Sequence, residues 1–126
     1  MKTIISTDKA PKAIGPYSQA VEANGTLYIS GQIPINPETG KLIEGNIKEQ
    51  TEQVMKNIET VLKAAGYSFS DVVKSTCLLN NMNDFAGMNE VYGKYYQNNP
   101  PARAAYEVVK LPLDSLIEIE TIAVKS

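Results

Sequence analysis

The chain has 126 residues, 43% of them hydrophobic and 21% charged, a net charge of −2 and a pI near 5.1. That composition suits one globular domain spanning 1–126 and argues against a membrane span or a polycation that seeks nucleic acid. Histidine is absent, which removes Ser-His-Asp and Cys-His catalysis, histidine metal sites and the usual general base near neutral pH.

The first nine residues are too poor in apolar side chains for a signal peptide, and residues 2–7 read as a short strand around Ile4 and Ile5. Residues 10–17 form a loop, because Pro11, Gly15 and Pro16 break both helical and strand periodicity. Residues 18–23 and 26–30 read as two strands joined at Asn24-Gly25, a pair that supplies the positive φ values of a type I′ hairpin turn. Gly31, directly after the second strand, has two readings: a bulge, or a close approach of backbone or ligand where a Cβ would clash. Pro37 to Gly40 supply a further turn.

Residues 46–65 carry the clearest helix. Asn46 and Glu49 make a capping-box-like start and Gly66 supplies the stop. Ile47, Val54, Ile58, Val61, Leu62 and Ala65 share one face, which fits a helix lying on a sheet. The β-branched run at 72–79 predicts a core strand that contains Cys77, the single cysteine. One cysteine permits no internal disulfide, leaves no zinc set and fits a reducing cytoplasm. Cys77 reads either as a small buried hydrophobe or as a nucleophile, with no base or positive neighbour evident in its surroundings.

A second helix is expected over 83–97, capped by Asn83, with Phe85, Met88, Tyr92 and Tyr95 as its inner stripe and Val91 and Tyr96 widening it. Asn89 lies beside that stripe, as a solvated amide or as a polar group facing a site. Pro100 and Pro101 then force the chain to approach Arg103 extended, with a strand over 104–109 beyond it. A guanidinium at the mouth of a strand is either an ordinary surface arginine or a fork for gripping a carboxylate or phosphate. The last strand, 116–124, alternates: Ile117, Ile119, Thr121 and Ala123 on one face, Glu118 and Glu120 on the other. The order of elements predicts an α+β fold, a mixed β-sheet with two amphipathic helices packed on one face.

Chemistry must therefore come from Arg103, Glu118 or Glu120, Tyr17, Ser30, and backbone around Gly31 and Ala105. No phosphate-binding loop or dinucleotide fingerprint is present. One arginine and one carboxylate suit a small anionic substrate whose reacting carbon is already electrophilic: the arginine holds its carboxylate and the glutamate orients or deprotonates a water.

These residues carry a resemblance. Pro101-Ala102-Arg103-Ala104-Ala105-Tyr106, followed by Ile117-Glu118-Ile119, resembles the signature of the RidA (YjgF-type) family. Ala13-Ile14-Gly15-Pro16-Tyr17-Ser18-Gln19 and Ser30-Gly31-Gln32-Ile33-Pro34 are similar to that family's earlier motifs. Gln50, Asn57, Ala64-Ala65-Gly66, Asp71-Val72-Val73-Lys74 and Asn83-Asp84-Phe85 extend the likeness over nearly the whole chain.

The resemblance implies a chorismate-mutase-like fold assembled as a homotrimeric barrel with clefts between subunits. It also implies a cytoplasmic enzyme without cofactor or metal. The implied reaction is hydrolytic deamination of reactive 2-imino acids such as 2-iminobutanoate and 2-iminopropanoate, limiting enamine damage. In that reading Arg103 grips the substrate carboxylate and Glu118 positions the water. Tyr17, Ser30, Gly31, Asn89 and the backbone of Ala105 bind substrate. Two departures stand out: Ala105 occupies a position where many relatives carry cysteine, and Val109 replaces a usually small or basic residue. The competing readings are a non-enzymatic carboxylate-binding or regulatory trimer, and RNA binding or cleavage, proposed for relatives, against which the acidic pI and missing histidine weigh.

Overall fold

The computed structural model describes residues 1–125. Within them the chain runs β1 (Thr3–Ile5), β2 (Ala20–Ala23), β3 (Thr26–Gln32), β4 (Ile35–Asn36), β5 (Lys41–Leu42), α1 (Ile47–Ala65), β6 (Val72–Leu79), α2 (Phe85–Tyr95), β7 (Ala102–Glu107) and β8 (Ile117–Val124). Six strands form one sheet in the order β1-β2-β3-β8-β6-β7, while β4 and β5 make a separate small hairpin. Only β6 and β7 pair in parallel, because α2 connects them as a crossover; the other neighbours in the sheet are antiparallel. The fold is α+β, built on a mixed sheet and two helices.

The hairpin at 24–25 forms as its residues dictate, with Asn24 at φ 52° and Gly25 at φ 75°. Helix α1 begins with the expected capping box: the Asn46 side chain accepts from the Glu49 backbone N–H, and the Glu49 carboxylate accepts from that of Asn46. Its apolar face, Val54, Met55, Ile58, Val61 and Leu62, is fully buried in one core with Leu27 and Ile29 of β3, Ile117 and Ile119 of β8, and Met88 and Tyr92 of α2. The alternation in β8 holds: Ile117, Ile119, Thr121 and Ala123 are buried on the helix side, whereas Glu118 and Glu120 leave by the other face.

Three expectations need correction. Asn83 does not cap α2. The helix starts at Phe85 after a 3₁₀ turn at Met82–Asp84, and it is the Asn81 side chain that accepts from the Asn83 backbone N–H. Neighbouring asparagines offer equivalent cap chemistry, and the turn used the earlier one. Strand β7 starts at Ala102, so Arg103 sits inside the strand rather than at its mouth. The β4–β5 hairpin around the 37–40 turn was foreseen only as a turn, since two-residue strands carry no periodicity. No helix among the described residues is long and apolar enough to cross a membrane.

Candidate functional site

Buried amides anchor the chain segments that wall one cavity. Gln19 is buried just before β2, accepts from the Thr7 backbone N–H at 2.7 Å and donates to the carbonyls of Thr7 and Pro11 at 3.0 and 2.8 Å. The loop of residues 10–17 is thereby tied to the sheet, and Tyr17 at its end is half exposed. Asn57, buried on the inner face of α1, donates to the carbonyls of Ile33 and Ile35 at 3.3 and 2.9 Å. Gln50, two turns earlier on the same face, accepts from the Leu116 backbone N–H at 2.9 Å and fixes the start of β8. These amides satisfy backbone groups of loops that the ladders leave unpaired, so they hold irregular chain in place. For Gln50 and Asn57 the signal in the sequence is a polar side chain within the apolar stripe of an amphipathic helix.

Between these walls lies a cavity of about 620 Å³, lined by Tyr17, Ser30, Gly31 and Glu118 together with Lys12, Ile14, Ile33, Leu113 and Glu120. Four of the expected site residues therefore meet: Tyr17, Ser30, Gly31 and Glu118. The Ser30 hydroxyl donates to the Ser18 carbonyl at 2.6 Å, which leaves it only acceptor capacity toward a ligand. Lys12, Ile14 and Leu113 were not singled out in the sequence, because loop residues carry no periodic signal.

Gly31 satisfies both of its readings. The β3–β8 register shifts between Ile29 and Gln32, which is a bulge, and a Cβ at Gly31 would collide with the Glu118 carboxylate at Oε2. The carboxylate is thus packed against bare backbone. Burial, and then the like charge of Glu120 two residues along the same strand face, push the Glu118 carboxyl above its ordinary value. Gly31→Ala should displace the carboxylate while leaving the fold intact, since a flexible side-chain end is what must move. The expected result is a Glu118 carboxylate moved off its backbone seat with a melting temperature shifted by only a few degrees; a structure of the variant and thermal melting by circular dichroism check it.

Arg103, Asn89 and Ala105 lie elsewhere. The Arg103 guanidinium donates from Nη1 to Asn89 Oδ1 at 2.7 Å, and its Cζ lies 5.3 Å from the ring centre of Phe85 and 5.0 Å from that of Tyr92. Ala105 follows two residues later on the same strand face, in register with Cys77. Strand β7 is one edge of the sheet, so alternate backbone N–H groups along it have no ladder partner among the described residues. Cys77 is fully buried, and desolvation raises its thiol to about 11 despite the opposing pull of Arg103. It is a core residue, as its surroundings in the sequence suggested, and its thiolate is suppressed at neutral pH.

The separation of the two halves is geometric. Arg103 and Thr121 are both in register with Ser75, and Ser75 and Thr121 are buried on the helix side. Glu118 is an odd number of residues from Thr121, so it leaves by the opposite face. Two strand spacings and three residues of rise also put the Arg103 and Glu118 Cα atoms roughly 14 Å apart. Within one copy of the chain the guanidinium and the carboxylate cannot meet across the sheet.

Comparison with known proteins places the chain in a family. Residues 7–125 match the family model described as endoribonuclease L-PSP. The chain is 58% identical over 125 residues to a RutC family protein of Pyrococcus horikoshii, covering 99% of each chain. It is 53% identical over 125 residues to the 2-iminobutanoate/2-iminopropanoate deaminase of Mus musculus, covering 99% of this chain and 93% of that one. Its structure is similar, with a TM-score of 0.96, to a Yersinia pestis protein of unknown function from the conserved Rid family, 49% identical, covering 99% of this chain and all of that one. The chain belongs to the endoribonuclease L-PSP (YjgF/RidA) family.

Proposed function

We propose that this protein hydrolyses 2-imino acids of the 2-iminobutanoate and 2-iminopropanoate class to 2-keto acids and ammonia, at sites formed between copies of the chain in a homotrimer. The observation that carries the reading is the split site: a carboxylate packed against bare backbone in one cavity, and a positioned guanidinium on the opposite face of the sheet. A neighbouring copy presenting its β7 edge to the cavity joins the two. The sheet face away from the helices supports such assembly, since Tyr28, Tyr106 and Val124 are about half exposed on it. The likeness to the Mus musculus deaminase supports the substrate class.

The chemistry asks little of the protein. A protonated imine carbon is already electrophilic, so neither a covalent nucleophile nor a histidine is required. Arg103 holds the substrate carboxylate through charge-assisted hydrogen bonds and fixes the imine carbon in the cavity. Glu118, on the copy that supplies the cavity, takes a proton from water as its oxygen bonds to that carbon. Protonated Glu118 returns that proton to the nitrogen of the tetrahedral carbinolamine, ammonia leaves as the C–N bond breaks, the hydroxyl gives up its proton to solvent, and the 2-keto acid remains. The net change is one imino acid and one water to one keto acid and ammonia.

The test is a coupled assay in which a pyridoxal-phosphate-dependent threonine dehydratase generates the imine and an added amine traps it. The protein should speed 2-ketobutanoate release and suppress trapping. Equal release with and without it contradicts the reading.

A further inference from the structure

The strongest feature not absorbed by this reading of the site is the surface of α2 on which Arg103 rests. One Nη1 hydrogen goes to Asn89 at 2.7 Å, and the Phe85 and Tyr92 rings lie 5.3 and 5.0 Å from the guanidinium carbon. Phe85, Asn89 and Tyr92 fall at spacings of four and three, hence on one face of the helix. The helix itself is held. Tyr92 is buried, the Glu107 carboxylate accepts from the Met82 backbone N–H at 2.9 Å, and Lys48 of α1 pairs with Glu90 at 2.7 Å. The Glu107 contact ties the turn before α2 to the far end of the strand that carries Arg103.

An arginine at a strand edge otherwise samples many rotamers, and holding a carboxylate would require ordering it at the moment of binding. Here an amide acceptor and two aromatic faces have already ordered it. Asn89 uses a hydrogen on Nη1, and among the described residues nothing bonds the Nε–Nη2 edge, which is left as a two-pronged fork.

We propose that Phe85, Asn89 and Tyr92 are positioning residues for Arg103, and that the ligand carboxylate docks side-on to the Nε–Nη2 edge they leave open. This assigns Asn89 to Arg103 rather than to direct contact with substrate, and it rests on the reading of Arg103 as the carboxylate grip.

The experiment measures KM and kcat for enzymatically generated 2-iminobutanoate, and binding of 2-ketobutanoate by calorimetry, in Asn89→Ala, Tyr92→Leu, Tyr92→Phe and Arg103→Ala. Asn89→Ala and Tyr92→Leu should each raise KM and the keto-acid dissociation constant together by about tenfold, with kcat changed less than about twofold. Tyr92→Phe keeps the ring and should behave as wild type. Adding Asn89→Ala to Arg103→Ala should change binding no further, because the guanidinium it positions is gone. Unchanged binding in Asn89→Ala, a loss confined to kcat, or an additional loss in the double variant overturns the inference even where Arg103→Ala binds poorly. If Arg103→Ala itself binds the keto acid like wild type, the grip and its positioning both fall. Asn89 is only partly buried, so Asn89→Ala decides the matter even where Tyr92→Leu does not fold.

Discussion

Arg103→Ala should lower kcat/KM for 2-iminobutanoate by about 10²- to 10³-fold while leaving the melting temperature within a few degrees of wild type. Loss of a charge-assisted, two-pronged contact removes both binding energy and the alignment of the imine carbon. The fold tolerates the change because Arg103 is exposed on an edge strand within the isolated chain and its neighbours on α2 are anchored independently. Arg103→Lys should recover only a small part of the loss, since an ammonium restores charge without the planar fork. Steady-state kinetics beside thermal melting reads both. A lysine variant with near wild-type kcat/KM would mean that charge alone suffices.

Glu118→Gln should lower kcat by about 10²-fold or more, the contribution expected of a positioned proton acceptor. The pH profile carries the more specific signature. Burial and the charge of Glu120 raise the Glu118 carboxyl above its ordinary value. The proton-accepting form therefore accumulates only as pH rises through that raised value, and kcat should climb along an acidic limb displaced upward from ordinary glutamate. Glu120→Gln removes the like charge and should move the limb to lower pH; Glu118→Gln should abolish it. Stability follows the same sign. A carboxyl whose folded value is raised stabilises the protein below its unfolded value, and that contribution is lost as pH rises through the folded value. Glu118→Gln should consequently melt no lower than wild type at pH 7, giving lost activity without lost stability. Acid-limb kinetics that persist in Glu118→Gln would assign the proton transfer to another group.

Much of the fold was legible because several signals agreed at the same residues. Asn24-Gly25 demanded positive φ, Asn46 and Glu49 capped each other, and the alternation of β8 sorted its isoleucines from its glutamates without reference to the rest of the chain. Boundaries failed where chemistry was redundant, as with Asn81 and Asn83 before α2. The candidate residues were also legible as motifs: Tyr17, Ser30, Gly31 and Glu118 do line one cavity. What could not be read was their division. That Arg103 and Glu118 leave opposite faces of the sheet follows from the parallel pairing of β6 with β7 and the register through Ser75, both set by long-range contacts that no local pattern records. The same holds for Asn89, whose place beside the apolar stripe of α2 was visible while its partner, 14 residues away on strand β7, was not.

Subunit mixing distinguishes a site shared between copies from one held within a single copy. Arg103→Ala and Glu118→Gln copies, each nearly inactive alone, are unfolded together in equal amounts and refolded as mixed assemblies. A site that takes its guanidinium from one copy and its carboxylate from the next is intact wherever the two wild-type halves meet. About a third of the sites in each heterotrimer, hence about a quarter of all sites in the random mixture, should then recover, and the mixture should show about a quarter of wild-type kcat. A mixture no more active than its parents, in assemblies shown by mass to be mixed, would place both residues in one copy and contradict the account.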